Sequence, residues 1–221
     1  MHHRNSKSLS VESLRNIEQK THLSFEPFSA NILQRVNEAR GIKEKNAIFE
    51  SVFQNDKALT LNEVNGFITT LYQNHRGTNK TTWNATKQMA FDLNRHGFSV
   101  VFLPEHKNLS SADALLKSYD KLFGEKKYRI SDFKYVESTN ANTVQEELID
   151  GFNQANTIVL KLKNMDGGLF LEVLKYIKRN EERRGYHYGD ILLQNKYGKT
   201  VLISRSDIRT NRFIRKIKGF L

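Results

Sequence analysis

Two aspartates and a lysine have the types and spacing needed to cleave a phosphodiester bond. Asp132 and Lys134 stand in segment 127–136, whose alternating apolar and polar residues predict a β-strand. Alternate side chains of a strand share a face, so both charges lie on one face with Cα atoms about 6–7 Å apart. A carboxylate can hold a divalent metal or act as a general base, and a lysine can neutralise charge on the phosphoryl group. Asp113, on a predicted strand at 112–117, is expected to converge on the same place.

The alternative interpretation of Asp132 and Lys134 is a solvent-exposed ion pair on an edge strand. The pattern is short and common by chance, so the pair alone does not distinguish the two. If that face is covered, each ion needs the other or a substrate, because unpaired burial of a charge costs several kcal/mol.

Further candidate residues would bind or activate a substrate. His106 follows a predicted strand at 98–103 and could move a proton, although a lone loop histidine is more commonly structural. A capping box from Thr143 to Glu146 predicts a helix start, where backbone N–H groups favour phosphate. The predicted substrate-binding residues are Thr139, Asn142, Thr143, Gln154 and Arg205.

The charge of the chain favours a polyanionic partner. The net charge is +11 over 221 residues, and residues 81–221 carry 24 basic and 16 acidic groups. Contacts of Lys and Arg with phosphates release counterions, so nucleic acid is the expected partner. Cysteine is absent, which excludes disulfides and thiolate metal sites. Paired histidine ligands, a phosphate-binding glycine loop and a membrane-spanning apolar run are missing too, so we expect no zinc, no membrane partner and action in the cytoplasm.

The pattern of elements predicts an α+β protein. Residues 1–78 form a small helical N-terminal region, with helices near 11–36, at 47–53 and from Thr60 onwards, and 74–80 is a linker. Residues 79–221 form a mixed domain with one central, mainly antiparallel sheet packed by helices. Its helices are expected at 82–95, 143–155 and 168–184, and a hairpin at 190–204 precedes a basic tail.

The order of segments within residues 82–205 resembles the barnase–EndoU–colicin–RelE-like nuclease domains of contact-dependent-inhibition and phage head-associated toxins. The similar segments are Gly97–Glu105, Ser111–Leu116, Asp132–Lys134, Ser138–Thr143 and Gln154–Leu160. Asp132 stands where that group often has Glu, Ser-Ala-Asp113 replaces Pro-Asp, and 118–128 is a long charged insertion.

This resemblance implies a metal-independent ribonuclease toxin, without a cofactor, that cleaves tRNA or another structured RNA. Its catalytic residues would be Lys134, Asp132, Asp113 and His106. An immunity protein is the implied partner, and delivery by a phage or a secretion system is implied as well. Nothing in the sequence specifies the oligomeric state.

Two other functions stay open. Asp113 followed by Asp132-x-Lys134 also resembles the PD-(D/E)xK signature of restriction-like deoxyribonucleases, in which Asp113 and Asp132 would hold Mg²⁺ or Mn²⁺. The third possibility is a non-catalytic nucleic-acid-binding protein of a phage or mobile element. It predicts that Asp132 and Lys134 are exposed and replaceable.

Overall fold

The computed structural model describes residues 38–54, 58–71, 80–103, 112–120, 125–163, 167–184 and 188–220. The helices predicted within 11–36, the linker at 74–79 and His106 lie outside these ranges. In the described ranges no helix is both long and apolar enough to cross a membrane.

Helices pack on both faces of one sheet. In the described part of the chain the helices are α1 (Ile42–Phe53), α2 (Lys80–Arg95), α3 (Ala141–Phe152), α4 (Gly167–Arg184), α5 (Arg205–Arg209) and α6 (Phe213–Lys218). The strands there are β1 (Leu59–Val64), β2 (Phe67–Leu71), β3 (Phe98–Phe102), β4 (Ala114–Asp120), β5 (Glu125–Val136), β6 (Thr157–Leu162), β7 (Asp190–Gln194) and β8 (Thr200–Ile203).

The eight strands lie in the sheet in the order of the chain. The pairs β1/β2, β3/β4, β4/β5 and β7/β8 are antiparallel, whereas β2/β3, β5/β6 and β6/β7 are parallel. The α+β class predicted from the sequence is confirmed. From α2 to β6 the elements follow the order α–β–β–β–α–β, in which an antiparallel meander is joined through α3 to a parallel strand.

The helix predicted from Thr60 onwards is wrong, because this segment forms the β1–β2 hairpin. Its apolar residues recur at helical spacing, but Asn65 and Gly66 adopt φ angles of 51° and 79°. A two-residue Asn-Gly turn with positive φ at both positions matches the twist of a hairpin, so turn chemistry overrides the periodicity. Thr69 of β2 pairs with Val100 of β3, so the hairpin belongs to the common sheet. The boundary near residue 78 stays a prediction.

The two faces of the sheet are covered differently. On one face α2 packs Met89 and Leu93 against apolar side chains of β3, β4, β5 and β6. On the other face α1 covers β3 and β4 at one end, and α3, α4, α5 and α6 cover β6, β7 and β8 at the other. Asp132 and Lys134 lie on this second face, between α1 and α3.

The predicted basic tail is folded into short helices. Ile208, Phe213 and Ile217 are buried against α4 and the end of the sheet. Phe213, Ile214 and Ile217 stand at helical spacing and Ser204 caps α5, but helices this short are marginal by themselves, so tertiary contacts stabilise α5 and α6.

Candidate active site

Asp132 and Lys134 form an ion pair on a central strand. β5 lies between β4 and β6, so the alternative interpretation, which placed the pair on an edge strand, is wrong. The Asp132 side chain is 2% exposed and that of Lys134 is 18% exposed, with Nζ 3.1 Å from Oδ2 of Asp132. Apart from this ion pair, no hydrogen bond from the described residues reaches that buried Oδ2 atom. Most buried polar atoms have at least one hydrogen-bond partner, and Oδ2 has the Lys134 ion pair, which leaves acceptor capacity for a ligand.

Asp113 reaches the same place from the neighbouring strand. It directly precedes β4, and the antiparallel register pairs the next residue, Ala114, with Ser131, so Asp113 stands opposite Asp132. Its Oδ2 accepts a hydrogen bond from the backbone N–H of Phe133 at 2.8 Å. Burial and then repulsion from Asp132 raise the pKa of Asp113 well above its usual range. Asp113 therefore holds a proton more tightly than an ordinary aspartate does.

Glu147 of α3 is a third acidic neighbour that the sequence did not indicate. Its Oε2 lies 3.7 Å from Nζ of Lys134. Burial lowers the pKa of Lys134, but attraction to Asp132, Glu147 and Asp113 outweighs burial and the net shift is upwards. Lys134 is therefore a stable cation, suited to electrostatic stabilisation of a phosphate rather than to proton abstraction.

Gly151 allows α3 to approach the site closely. A Cβ atom at this position would lie 2.6 Å from Cδ1 of Ile158 and 3.0 Å from Oδ2 of Asp132. A glycine inside a helix is otherwise unfavourable, so its place here is explained by close packing. A sequence-level signal for it exists, since a glycine interrupts an otherwise regular helical stretch.

The first turn of α3 is capped differently from the prediction. Asn140 is the N-cap, and its side chain accepts a hydrogen bond from the N–H of Asn142 at 2.9 Å. Thr143 is the third helical residue and not the cap, so that prediction is wrong. Thr139 and Asn142 are exposed and Thr143 is half-buried. Thr143 stands one turn before Glu147, about 6 Å along the helix axis, so these residues flank the site.

Gln154 and Arg205 occupy different positions relative to the site. Gln154 is half-buried just after α3, and its N–H donates to the carbonyl of Gly151 at 2.9 Å. Arg205 begins α5 beyond β8, three strands from β5, which corresponds to about 14 Å across the sheet. Its Nε donates to Oε1 of Glu181 at 2.6 Å. The structure thus brings together Asp113, Asp132 and Lys134, with Gln154 nearby and Arg205 at a distance.

A divalent cation would have two side-chain carboxylates available here. Within the described residues there is no group of three or more His, Asp or Glu side chains placed to hold a metal. Mg²⁺ nevertheless binds through one or two carboxylates with water and substrate phosphate completing its octahedron. Asp113 and Asp132, with the spare acceptor capacity of Asp132 Oδ2, fit that requirement.

Comparisons with known proteins return little. No family model matches the chain, and no curated protein matches it. Among solved structures it is similar to a CdiA-CT/CdiI toxin and immunity complex from Burkholderia pseudomallei, with 16% identity and a TM-score of 0.39. The similarity covers 62% of this chain and 98% of that one.

Proposed function

We propose that this protein is a nuclease that cleaves phosphodiester bonds at the Asp113–Asp132–Lys134 cluster with the help of a divalent cation. The observation that carries the proposal is the buried carboxyl group of Asp132, which faces the half-buried Asp113 beside a lysine, within an α–β–β–β–α–β unit. Groups that repel each other in this way disfavour folding, and such clusters are typical of functional sites.

Asp113 and Asp132 would hold Mg²⁺ or Mn²⁺. When bound, such an ion lowers the pKa of a coordinated water and offsets charge on the phosphate. A bound cation would favour the ionised form of Asp113, while the N–H of Phe133 keeps its carboxylate oriented. Lys134, held near Glu147 as well as Asp132, would place its ammonium group against the charge that develops on the transferring phosphoryl group.

The decisive experiment incubates the purified protein with total tRNA and with plasmid DNA, each with Mg²⁺, Mn²⁺ or EDTA. Cleavage that disappears in EDTA is the expected result. The Lys134→Ala variant should fold normally and lose at least about 100-fold in rate, the usual loss when one charge-stabilising donor is removed. Full activity of this variant would sink the site assignment.

Cation binding can be measured without any substrate. A ligand that binds only the folded state stabilises it by about 2.7 kcal/mol at 100 times its Kd. Mn²⁺ should therefore raise the Tm of the wild type and leave that of Asp132→Asn unchanged. An equal rise in both would show that the cation binds elsewhere.

A metal-independent ribonuclease is the second candidate. It is favoured by the resemblance to the barnase–EndoU–colicin–RelE-like group and by the raised pKa of Asp113, which would let this carboxyl donate a proton to a leaving oxygen. His106, its other proposed acid–base residue, lies outside the described residues. RNA cleavage that persists in EDTA would support this candidate and contradict the metal-dependent one.

The resemblance to toxin domains extends the proposal to a toxin that acts in the cytoplasm and is neutralised by an immunity protein. Failure to obtain wild-type clones without a companion gene, together with easy cloning of Lys134→Ala, is the expected result. The non-catalytic alternative required an exposed Asp132, and that side chain is buried.

A further inference from the structure

A set of arginines and lysines lies exposed on α4, α5 and the start of α6. Lys175, Arg179 and Arg183 recur at every fourth residue of α4, so they form one solvent-facing stripe. Arg209 and Arg212 are exposed on the neighbouring segment. We call these five residues the basic surface.

Two of the acidic groups next to the basic surface, Glu181 and Asp207, are neutralised internally. Glu181 is 8% exposed and receives Arg205 at 2.5 Å and Arg209 at 2.8 Å. Asp207 is also 8% exposed and pairs with Lys216 at 2.7 Å. Glu172 and Glu182, the latter 61% exposed, are the solvent-facing carboxylates in the described ranges 172–183 and 205–212. The solvent therefore meets a predominantly positive surface.

The same contacts fix the helices that carry the basic surface relative to one another. Glu181 ties α4 to α5, and Lys178 donates to Oδ1 of Asn211 at 3.0 Å, directly before Arg212. The backbone N–H of Arg205 donates to Oδ1 of Asp190 at 3.0 Å, which anchors α5 to the first residue of β7. A surface on helices fixed in this way is suited to a stiff partner, because the protein loses little further conformational freedom on binding.

The basic surface and Asp132 lie on one face of the sheet and towards the same ends of its strands. Ile177 of α4 and Ile208 of α5 are buried in the same cluster as Ile158, the strand partner of Asp132. At these strand ends, Thr157 at the start of β6 pairs with Ser131 of β5 and with Asp190 of β7. The distance from β5 to β8 is about 14 Å, and the α4 stripe adds about 12 Å along its axis.

We infer that the basic surface docks the sugar–phosphate backbone of a double-stranded nucleic acid, next to the bond that is cut; this inference rests on the proposed nuclease function. Duplexes carry one negative charge per roughly 1.7 Å of axis and stay straight over the length of this surface. Exposed large apolar side chains that could stack unpaired bases, such as Tyr197, lie elsewhere in the described chain.

The test measures binding separately from cleavage. A fluorescent RNA duplex of about two helical turns is titrated with full-length protein in EDTA, over a range of salt concentrations, and its integrity is checked on a gel. The test variant is Arg179→Ala with Arg183→Ala. The matched control is Lys196→Ala with Lys199→Ala, which removes two exposed charges from the β7–β8 turn, at the opposite ends of the strands.

The Arg179→Ala/Arg183→Ala variant should bind the duplex about tenfold more weakly than the wild type. The slope of log K against log salt concentration should become smaller by about one to two, because each phosphate contact contributes close to one. The Kd of the Lys196→Ala/Lys199→Ala variant should differ from that of the wild type by less than twofold. Equal losses in both variants would overturn the proposal in favour of bulk charge. Competition by poly-glutamate as strong as by the duplex would overturn it in favour of an acidic protein partner.

Cleavage kinetics separate this proposal from the nuclease proposal. If the wild type cuts nucleic acid, the arginine pair should raise KM and leave kcat unchanged. If the wild type cuts no nucleic acid but binds the duplex more tightly than the arginine variant does, the docking surface stands and the nuclease proposal is refuted. A normal KM and Kd in the arginine variant would refute the docking surface alone.

Discussion

At the scale of single residues, the site combines charges that destabilise the folded chain. Asp113 and Asp132 repel each other in a buried position, and Lys134 together with the N–H of Phe133 offsets this repulsion only in part. Proteins tolerate such clusters where activity requires them, at the expense of stability. Removing one carboxylate charge should therefore stabilise the fold while it removes function.

We expect Asp113→Asn to stabilise the metal-free protein at neutral pH. The pKa of Asp113 is raised in the folded state, so the stability of the wild type is full below the unfolded carboxyl pKa of about 3.9 and falls as pH rises through the folded value. The variant removes this fall, and each kcal/mol recovered raises Tm by about 2–4 °C.

The measurement is Tm against pH for the wild type, Asp113→Asn and a control, Asp150→Asn, which changes an exposed carboxylate on α3. The Asp113→Asn curve should be the flatter one above about pH 4, and the control should follow the wild type. A lower Tm in Asp113→Asn at neutral pH would contradict the assigned repulsion.

At the scale of elements, α3 positions the site from behind. It returns antiparallel to β5, so Glu147 reaches Lys134 and the next turn brings Gly151 to Asp132. The helix begins at the Asn140 cap and can come this close only because position 151 has no side chain.

Gly151→Ala should lower both stability and activity. Alanine gains about 1 kcal/mol in helix propensity, but a Cβ at 2.6 Å from Ile158 overpacks the core by about 1–3 kcal/mol. The accompanying shift of Asp132 should reduce the cleavage rate about 100-fold, as expected for a displacement near 1 Å.

Gly219→Ala is the control for this experiment, because a Cβ there meets nothing closer than 3.6 Å. Thermal unfolding and initial cleavage rates decide the outcome. A Gly151→Ala protein as stable and as active as the control would show that the close approach does not matter.

The cap of α3 separates a structural residue from a candidate substrate-binding residue. Asn140→Ala should reduce the free energy of unfolding by about 1 kcal/mol, the usual effect of losing an N-cap. Thr143→Ala should leave Tm nearly unchanged and raise KM, if its hydroxyl contacts the substrate. The reverse pattern in denaturant titrations and kinetics would restore Thr143 as the cap.

At the scale of the whole molecule, the β1–β2 hairpin is joined to α2 by a buried polar network. Asn94 is 1% exposed, and its Oδ1 accepts from Asn62 and from Thr69, each at 2.8 Å. Its Nδ2 donates to the carbonyl of Phe98 at 2.9 Å. The hairpin and the rest of the sheet should therefore unfold together.

Asn94→Ala should lower the free energy of unfolding by at least about 2 kcal/mol, because buried partners lose their hydrogen bonds. Asn84→Ala, at an exposed position of the same helix, is the control and should stay within about 0.5 kcal/mol of the wild type. Calorimetry should give one transition for the wild type. Two wild-type transitions, with the hairpin melting first, would favour the predicted boundary near residue 78.

Local patterns in the sequence were sufficient for much of the fold. The helix ending at Gly97, whose φ is 83°, the strand β6 and the long helix α4 follow from turn residues and periodicity. The exceptions have different causes. In the segment after Thr60, the Asn65-Gly66 turn overrides the helical spacing of the apolar residues. The short helices α5 and α6 have local helix signals but are marginal by themselves, and contacts with α4 and β8 stabilise them.

For the site, the sequence by itself determined that Asp132 and Lys134 share a face, because strand side chains alternate with a period of two. Whether that face is buried depends on which strands flank β5, and the strand register alone brings Asp113 opposite Asp132. Glu147 and Gly151 joined the site through the return of α3 across the sheet. These are contacts between distant parts of the chain, so only the tertiary structure decided that the Asp132–Lys134 pair became part of a largely buried cluster of charges.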